Sequence, residues 1–218
     1  MSNKVEICNM ALAAIRSAGI NSLTEASREA QQCRLHYDLA RQFVLRDAQW
    51  QFATKVEILS LRGETPLQWL YAYQYPVKCL KIKQITYSQG FGQSDTTDGL
   101  AERKRFDEGY DEPATQVNYE ILNMGDNKVI ATDQQEAYIM YLYDVEDTGL
   151  FDPDFVTALV HYLTSLIAIP LTGVDIGTSL RQGALQLYSS MFSIAVANDQ
   201  NEKKAPVKKL PKQVLARM

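Results

Sequence analysis

Apolar positions in the first quarter of the chain recur at steps of three and four. Asn3 followed by Glu6 reads as a capping box, and Ile7, Met10, Ala11, Ala14 and Ala18 then predict a first helix that Gly19 ends. A longer helix is predicted over residues 25–47. Its stripe of Ala26, Ala30, Cys33, Tyr37, Ala40 and Val44 is continuous, and its small members predict close helix–helix packing.

After Trp50, Gln51 and Phe52 the period changes from helical to alternating. The stretches KVEILSL, CLKIKQITY, QVNYEIL, NKVIATD and EAYIMYLYD read as short strands, as does an aromatic row of Trp69, Tyr71, Tyr73 and Tyr75 that stops at Pro76. RGETP, a loop rich in Gly, Ser and Asp from Ser88 to Gly99, and a turn at Gly125 and Asp126 separate them. Successive strands of this kind predict antiparallel pairing.

Helical patterning returns at Asp152, an N-cap with Pro153 in the first helical position. Residues 155–169 are apolar apart from Thr157, His161, Thr164 and Ser165, which predicts the central helix of a bundle or one covered by a neighbouring subunit. Pro170 and Gly173 are expected to stop it. A fourth helix is predicted over 178–198, with Leu180, Leu187, Met191, Ile194 and Ala195 as its main apolar stripe. The remainder has two prolines, many lysines and no helical period, and reads as an extended arm. The expected fold is therefore α+β. Residues 1–52 and 150–199 form a four-helix bundle, 53–149 an inserted antiparallel β-rich lobe, and 200–218 an extended C-terminal arm.

Composition narrows the uses of this scaffold. A length of 218 residues suffices for one core, or one core and a smaller lobe. A net charge of −4 gives the body no general attraction for a polyanion. Cys8, Cys33 and Cys79 are odd in number, unpaired in spacing and set among apolar neighbours, which predicts buried free thiols in a reducing compartment. The N-terminal segment lacks the pattern of a signal peptide. The longest apolar stretch, 155–171, reads as too short and too interrupted to span a bilayer, so a soluble protein made inside a cell is expected.

Catalytic and metal chemistry find no support in the motifs. His36 and His161 lie far apart in no ligand spacing, and GFGQSD at Gly90 lacks the third glycine of a dinucleotide loop. There is neither a phosphate-binding G-x-x-x-x-G-K-[ST] nor a G-x-S-x-G. Asp144, Glu146, Asp147, Asp152 and Asp154 lack the alternation of a calcium loop and read as loop solvation plus charge at a helix N-terminus. No metal, cofactor or catalytic residue is expected.

Four stretches, in order, carry a resemblance: ICNMALAAIRSAGI, EASREAQQCRLHYDLARQFVLRDAQWQFA, WLYAYQYPVKCLKI and YLYDVEDTGLFDPDFVTALVHYLTSLIAIPLTG. Together they resemble the head-to-tail adaptor proteins of short-tailed, podovirus-type bacteriophages, the tail tubular protein A family. The resemblance covers nearly all of the chain, apart from residues 88–112 and the tail after Asn198. It implies a helical bundle with a β-rich insertion and a role as a structural, non-enzymatic virion protein of the head–tail junction, made in the host cytoplasm. Its implied partners are the portal protein, the tail nozzle protein and further copies of itself in a dodecameric ring, with tail fibres a further candidate. Genomic DNA would pass through the lumen without sequence-specific binding, and no membrane is involved. An acidic wall suits such a channel, because it repels phosphates.

On this reading the basic arm binds the portal through Lys203, Lys204, Val207, Lys208, Lys209, Leu210, Lys212, Val214 and Leu215. Trp69, Tyr71, Tyr73 and Tyr75 have three competing uses. A packed strand face is favoured first, a subunit or nozzle interface second, and base stacking last, since stacking needs a basic groove beside the rings. The competing function is a helical nucleic-acid-binding protein that grips phosphates with Lys203, Lys204, Lys208, Lys209, Lys212 and Arg217.

Overall fold

A computed structural model describes residues 3–66, 68–87 and 117–201. Among these residues the fold is mixed α+β, with four α-helices and two small antiparallel sheets. The first helix, α1 (Lys4–Ala14), opens with the expected capping box: the Asn3 side chain accepts from Glu6 N–H, and the Glu6 carboxylate accepts from Asn3 N–H. It ends a turn earlier than Gly19, because Arg16 takes a left-handed conformation with φ 57°. Its buried face is Ile7, Cys8, Ala11 and Leu12, whereas Met10 and Ala14 face outward and Ala18 lies beyond the helix.

In α2 (Arg28–Asp47), capped by the Ser27 hydroxyl, the stripe Ala30, Cys33, Tyr37, Ala40 and Val44 is buried as its period predicts. Ala26 is not part of it. It precedes the cap and is exposed, so the close packing of small residues rests on Ala30 and Ala40. Arg41 is buried as well, which the stripe alone does not predict.

The strands form two three-stranded sheets. The first has the order β1 (Thr54–Ile58), β6 (Ala137–Tyr143), β3 (Cys79–Tyr87). In the second, β2 (Tyr71–Gln74) pairs with β5 (Asn127–Thr132), which pairs with β4 (Tyr119–Met124). Only Gly125 and Asp126 separate β4 from β5, and Gly125 supplies the positive φ of that turn. One core lies between the sheets, where Leu59, Ile85, Ile139 and Tyr141 meet Tyr73 and Ile130. Strand β6 joins this core to the helices. Ala137, Ile139 and Tyr141 point into it, Leu142 on the opposite face enters the helical core, and Tyr143 packs on both.

A short 3-10 turn (Thr148–Leu150) leads into α3 (Pro153–Thr172). Phe155, Leu159 and Leu163 have no exposed surface, and each such burial stabilises the fold by roughly 1.5–3 kcal/mol. Leu166 on the same helix is only partly buried. Pro170 sits inside the last turn and does not stop the helix, whose end is set by Gly173 at φ 84°. The carbonyl of Pro170 accepts from the Arg28 guanidinium, which ties the start of α2 to the end of α3.

Directly after Gly173 comes α4 (Val174–Asn201), longer at both ends than its sequence period suggests. Residues 200–201 are thus helical rather than part of an arm. Gly177 lets the two helices close tightly, since a Cβ there would lie 2.7 Å from the Ile169 Cα. Helix α3 contacts each of the other three, and the main core is built around it. Rings from several elements meet there: Trp50 stands edge-on to Phe155 at 5.2 Å, and Phe155 likewise meets Phe52 and Phe151.

Candidate interaction surfaces

Of the aromatic row, only Tyr73 is fully enclosed. It lies 1% exposed in the inter-sheet core, and its hydroxyl donates to the carbonyls of Gln134 and Gln135. Tyr71 and Tyr75 pack partly against the same core, and Trp69 donates from Nε1 to Glu120 Oε2 on β4 at 3.2 Å. Tyr71, Tyr73 and Tyr75 therefore face the other sheet instead of the helices, while Trp69 bonds to β4 of its own sheet. A stacking platform needs successive open rings, and Tyr73 breaks the series. Tyr75 lines a groove of about 430 Å³ with Arg62, Gln74, Val77, Asp126, Asn127 and Lys128. The Lys128 ammonium lies 5.7 Å from the Tyr75 ring centroid. Burial raises the Tyr75 pKa above the ordinary tyrosine value, so the phenol stays neutral.

Two helices carry apolar side chains on their outer faces. On α2, Leu35, Leu39 and Phe43 follow one another at steps of four and are 66%, 59% and 45% exposed. Phe43 stacks flat on Tyr162 of α3, at 4.3 Å and 2° between planes. On α4, Leu187, Met191 and Ile194 are 47%, 38% and 54% exposed. The latter three belong to the main apolar stripe of the sequence period, of which only Ala195 is buried and Leu180 partly so. The buried side of α4 carries Gly177, Ala184, Tyr188 and Ala195, with Leu180 and Phe192 partly covered. Small residues turn inward here because the α3–α4 approach is close, and the larger apolar side chains are displaced outward. Along β1, an edge strand, Val56 and Ile58 are exposed as well.

Asp144 is not a solvated loop carboxylate. It is buried and paired with Arg41, whose Nη1 also donates to the Val145 carbonyl at 2.6 Å. Gln42 Nε2 donates to the Asp144 carboxylate at 2.9 Å, and Arg41 Nη2 reaches Asp38 at 3.3 Å. The Asp144 N–H donates to the Lys78 carbonyl, in a turn where Lys78 takes φ 60°. This node joins α2, the segment after β6 and the turn before β3. Glu146, by contrast, is surface-exposed, and a hydrogen bond from Lys78 Nζ at 2.9 Å holds its carboxyl below the usual range. Asp154, in the first turn of α3, accepts from Asn198, which places the end of α4 beside the start of α3.

Burial lowers the pKa of both His36 and His161 below the ordinary value. Neither belongs to a cluster of metal-ligating side chains, and no such cluster of three or more occurs among the described residues. Cys8 and Cys33 are buried free thiols as expected, while Cys79 is partly exposed. By length and composition α3, at 20 residues, is apolar enough to cross a membrane, so the argument from length in the sequence does not hold. Half of that window is buried against the rest of the protein. The proposed arm, from Lys203 to Leu215, and the loop from Ser88 to Gly99 lie outside the described residues.

Sequence reasoning missed the outer stripe of α2. Its signal was present as a second four-step series, hidden behind the stronger series of small residues on the opposite face. No protein-family model matches this chain, and a search of curated proteins finds no match.

Proposed function

We propose that this chain is a structural subunit of a head-to-tail adaptor ring, joining the portal of a short-tailed phage to its tail nozzle. In this reading the four helices act as one bundle into which the β-rich segment is inserted. The genome passes through the ring, and no catalysis takes place. The observation that carries the reading is the pair of outward apolar stripes, Leu35–Leu39–Phe43 on α2 and Leu187–Met191–Ile194 on α4. A closed ring is heterologous: each subunit needs two different lateral surfaces, one to give and one to receive. Two separate apolar helix faces on one subunit fit that demand, since contiguous exposed apolar surface marks an interaction site. The inter-sheet lobe, with Tyr75 and the exposed residues of β1, then supplies the surface toward nozzle or neighbour, and the basic segment after residue 201 the surface toward the portal.

Light scattering of the protein alone and with purified portal tests this. Assembly on the portal is expected, and Leu39→Glu or Ile194→Glu should abolish it while leaving the circular dichroism spectrum unchanged. Retention on DNA with a steep salt dependence, and no association with portal, would instead favour a nucleic-acid-binding protein that uses the basic tail.

A further inference from the structure

We propose that β1 is a self-complementary edge, through which two copies of this chain pair about a two-fold axis at Val56 and join their three-stranded sheets. The proposal is independent of the adaptor reading, since it concerns the free subunit and uses neither the α2 nor the α4 stripe. Strand β1 lies at the edge of its sheet and, among the described residues, its ladder runs along β6 alone. Val56 and Ile58 on it are 52% and 64% exposed.

Backbone directions decide how a second strand can join. The Leu59 N–H donates to the Ala137 carbonyl, and the Tyr143 N–H donates to the Ala53 carbonyl, so the odd-numbered residues of this strand address β6. The even-numbered residues turn their N–H and C=O the other way. Of these the Thr54 N–H is already given to the Gln51 carbonyl. The Thr54 carbonyl and the backbone groups of Val56 and Ile58 face the open edge.

In an antiparallel pair of β1 strands centred on Val56, the two Val56 residues bond to each other in both directions. Each Ile58 N–H then meets the Thr54 carbonyl of the other copy. The residues between them form non-hydrogen-bonded pairs, whose side chains come closest, and there Lys55 stands opposite Glu57 twice. Neither takes part in an ion pair among the described residues, and the Lys55 ammonium lies 3.8 Å from the centroid of the Tyr143 ring. On the opposite face Val56 and Ile58 of both copies line up and cover apolar surface that the single chain leaves open.

Charge also fixes the register. Moving the axis by one residue sets Lys55 against Lys55, or Glu57 against Glu57. A lone lysine on an edge keeps copies apart. With Glu57 two residues on, the same edge matches itself, as an isologous contact requires. The other edges lack this match. Strand β3 has register shifts at Cys79/Lys81 and Ile82/Gln84, which interrupt its ladder. Strand β2 is bridged by Leu61, and the one charged residue of β4, Glu120, accepts from Trp69.

The test is sedimentation velocity on the full chain, from micromolar to near-millimolar concentration. The protein should pass from monomer to dimer across that range, as befits a small interface. Val56→Pro removes the central outward N–H without touching a bond to β6, and should stay monomeric with the circular dichroism spectrum of the parent. An exchange of charge decides the matter even where proline disturbs the strand. Lys55→Glu alone and Glu57→Lys alone should each weaken self-association by roughly tenfold, because like charges then face each other. Mixed in equal parts, the two variants should associate as the parent does, since one presents only cations and the other only anions. Leu39→Glu, on the α2 stripe, should leave the dimer intact. A protein that stays monomeric throughout, a dimer that survives Val56→Pro, one that Leu39→Glu abolishes, or a mixture that associates no better than either variant alone would each overturn the proposal.

Discussion

The helical part of the molecule and its β-rich part are held together in different ways. Around α3 the core is broad and almost wholly apolar, with Phe155, Leu159 and Leu163 enclosed on several sides and four rings meeting near Trp50. Between the sheets the core is small, and its largest enclosed side chain is Tyr73, which keeps a polar tip bonded to two carbonyls. The two are linked by β6 and by the Arg41–Asp144 node. The difference teaches where stability resides and where it is low. The larger apolar core is expected to supply most of the stability, so that the lobe with the smaller core opens at lower cost.

The largest effect is expected at the link. Arg41→Met leaves the Asp144 carboxylate buried without its cation, and should cost about 3–5 kcal/mol in denaturant unfolding. Adding Asp144→Leu to that variant should recover part of the loss, and no recovery would show that Arg41 acts through packing alone. In the helical core, Leu159→Ala or Leu163→Ala should cost about 2–5 kcal/mol and lower every probe of unfolding together. A smaller loss would mean that α3 is peripheral.

In the lobe, Tyr73→Phe removes the one hydroxyl proton that the carbonyls of Gln134 and Gln135 share, and should cost about 1 kcal/mol. Its signature separates the two regions: amide exchange should speed up in β2 and β5 and stay unchanged in α3. The smallest effect is with pH. Burial holds His36 and His161 below their unfolded value of 6.5, so the unfolded chain takes up protons there that the folded chain refuses. Stability is therefore full above that value and declines as the pH falls from about 6.5 toward about 5.5. A protein carrying both His36→Gln and His161→Gln should show a shallower decline in melting temperature over that window.

How much of this was legible in the sequence depended on how local the cause was. The capping box at Asn3 and Glu6, the stripe from Ala30 to Val44 and the start of α3 at Pro153 are set by neighbours a few residues apart, and their period revealed them. The order β1-β6-β3 was not legible, because it joins segments far apart in the chain, as Ile58 with Tyr138 and Tyr87 with Ala137, and period-two patterning says nothing about partners. The burial of Arg41 has no local signal, since its reason is Asp144, 103 residues away. On α4 the apolar stripe was only partly legible as buried: Ala195 and Leu180 turn inward, whereas Leu187, Met191 and Ile194 face out, because close packing against α3 favours small residues such as Gly177 and Ala184. In the aromatic row, alternation identified a strand face, and only the second sheet shows that Tyr73 is its one enclosed member.

The outer stripes lead to the most direct test of the adaptor reading. Purified portal is mixed with this protein, and the complex is imaged and its subunits counted. Twelve copies in a closed ring are expected, with α2 of each subunit against α4 of the next. A protein ending at Asn201 should fold alike by circular dichroism yet fail to attach. No binding to the portal, or a ring of another number with the Leu35–Leu39–Phe43 face left open to solvent, would contradict the account.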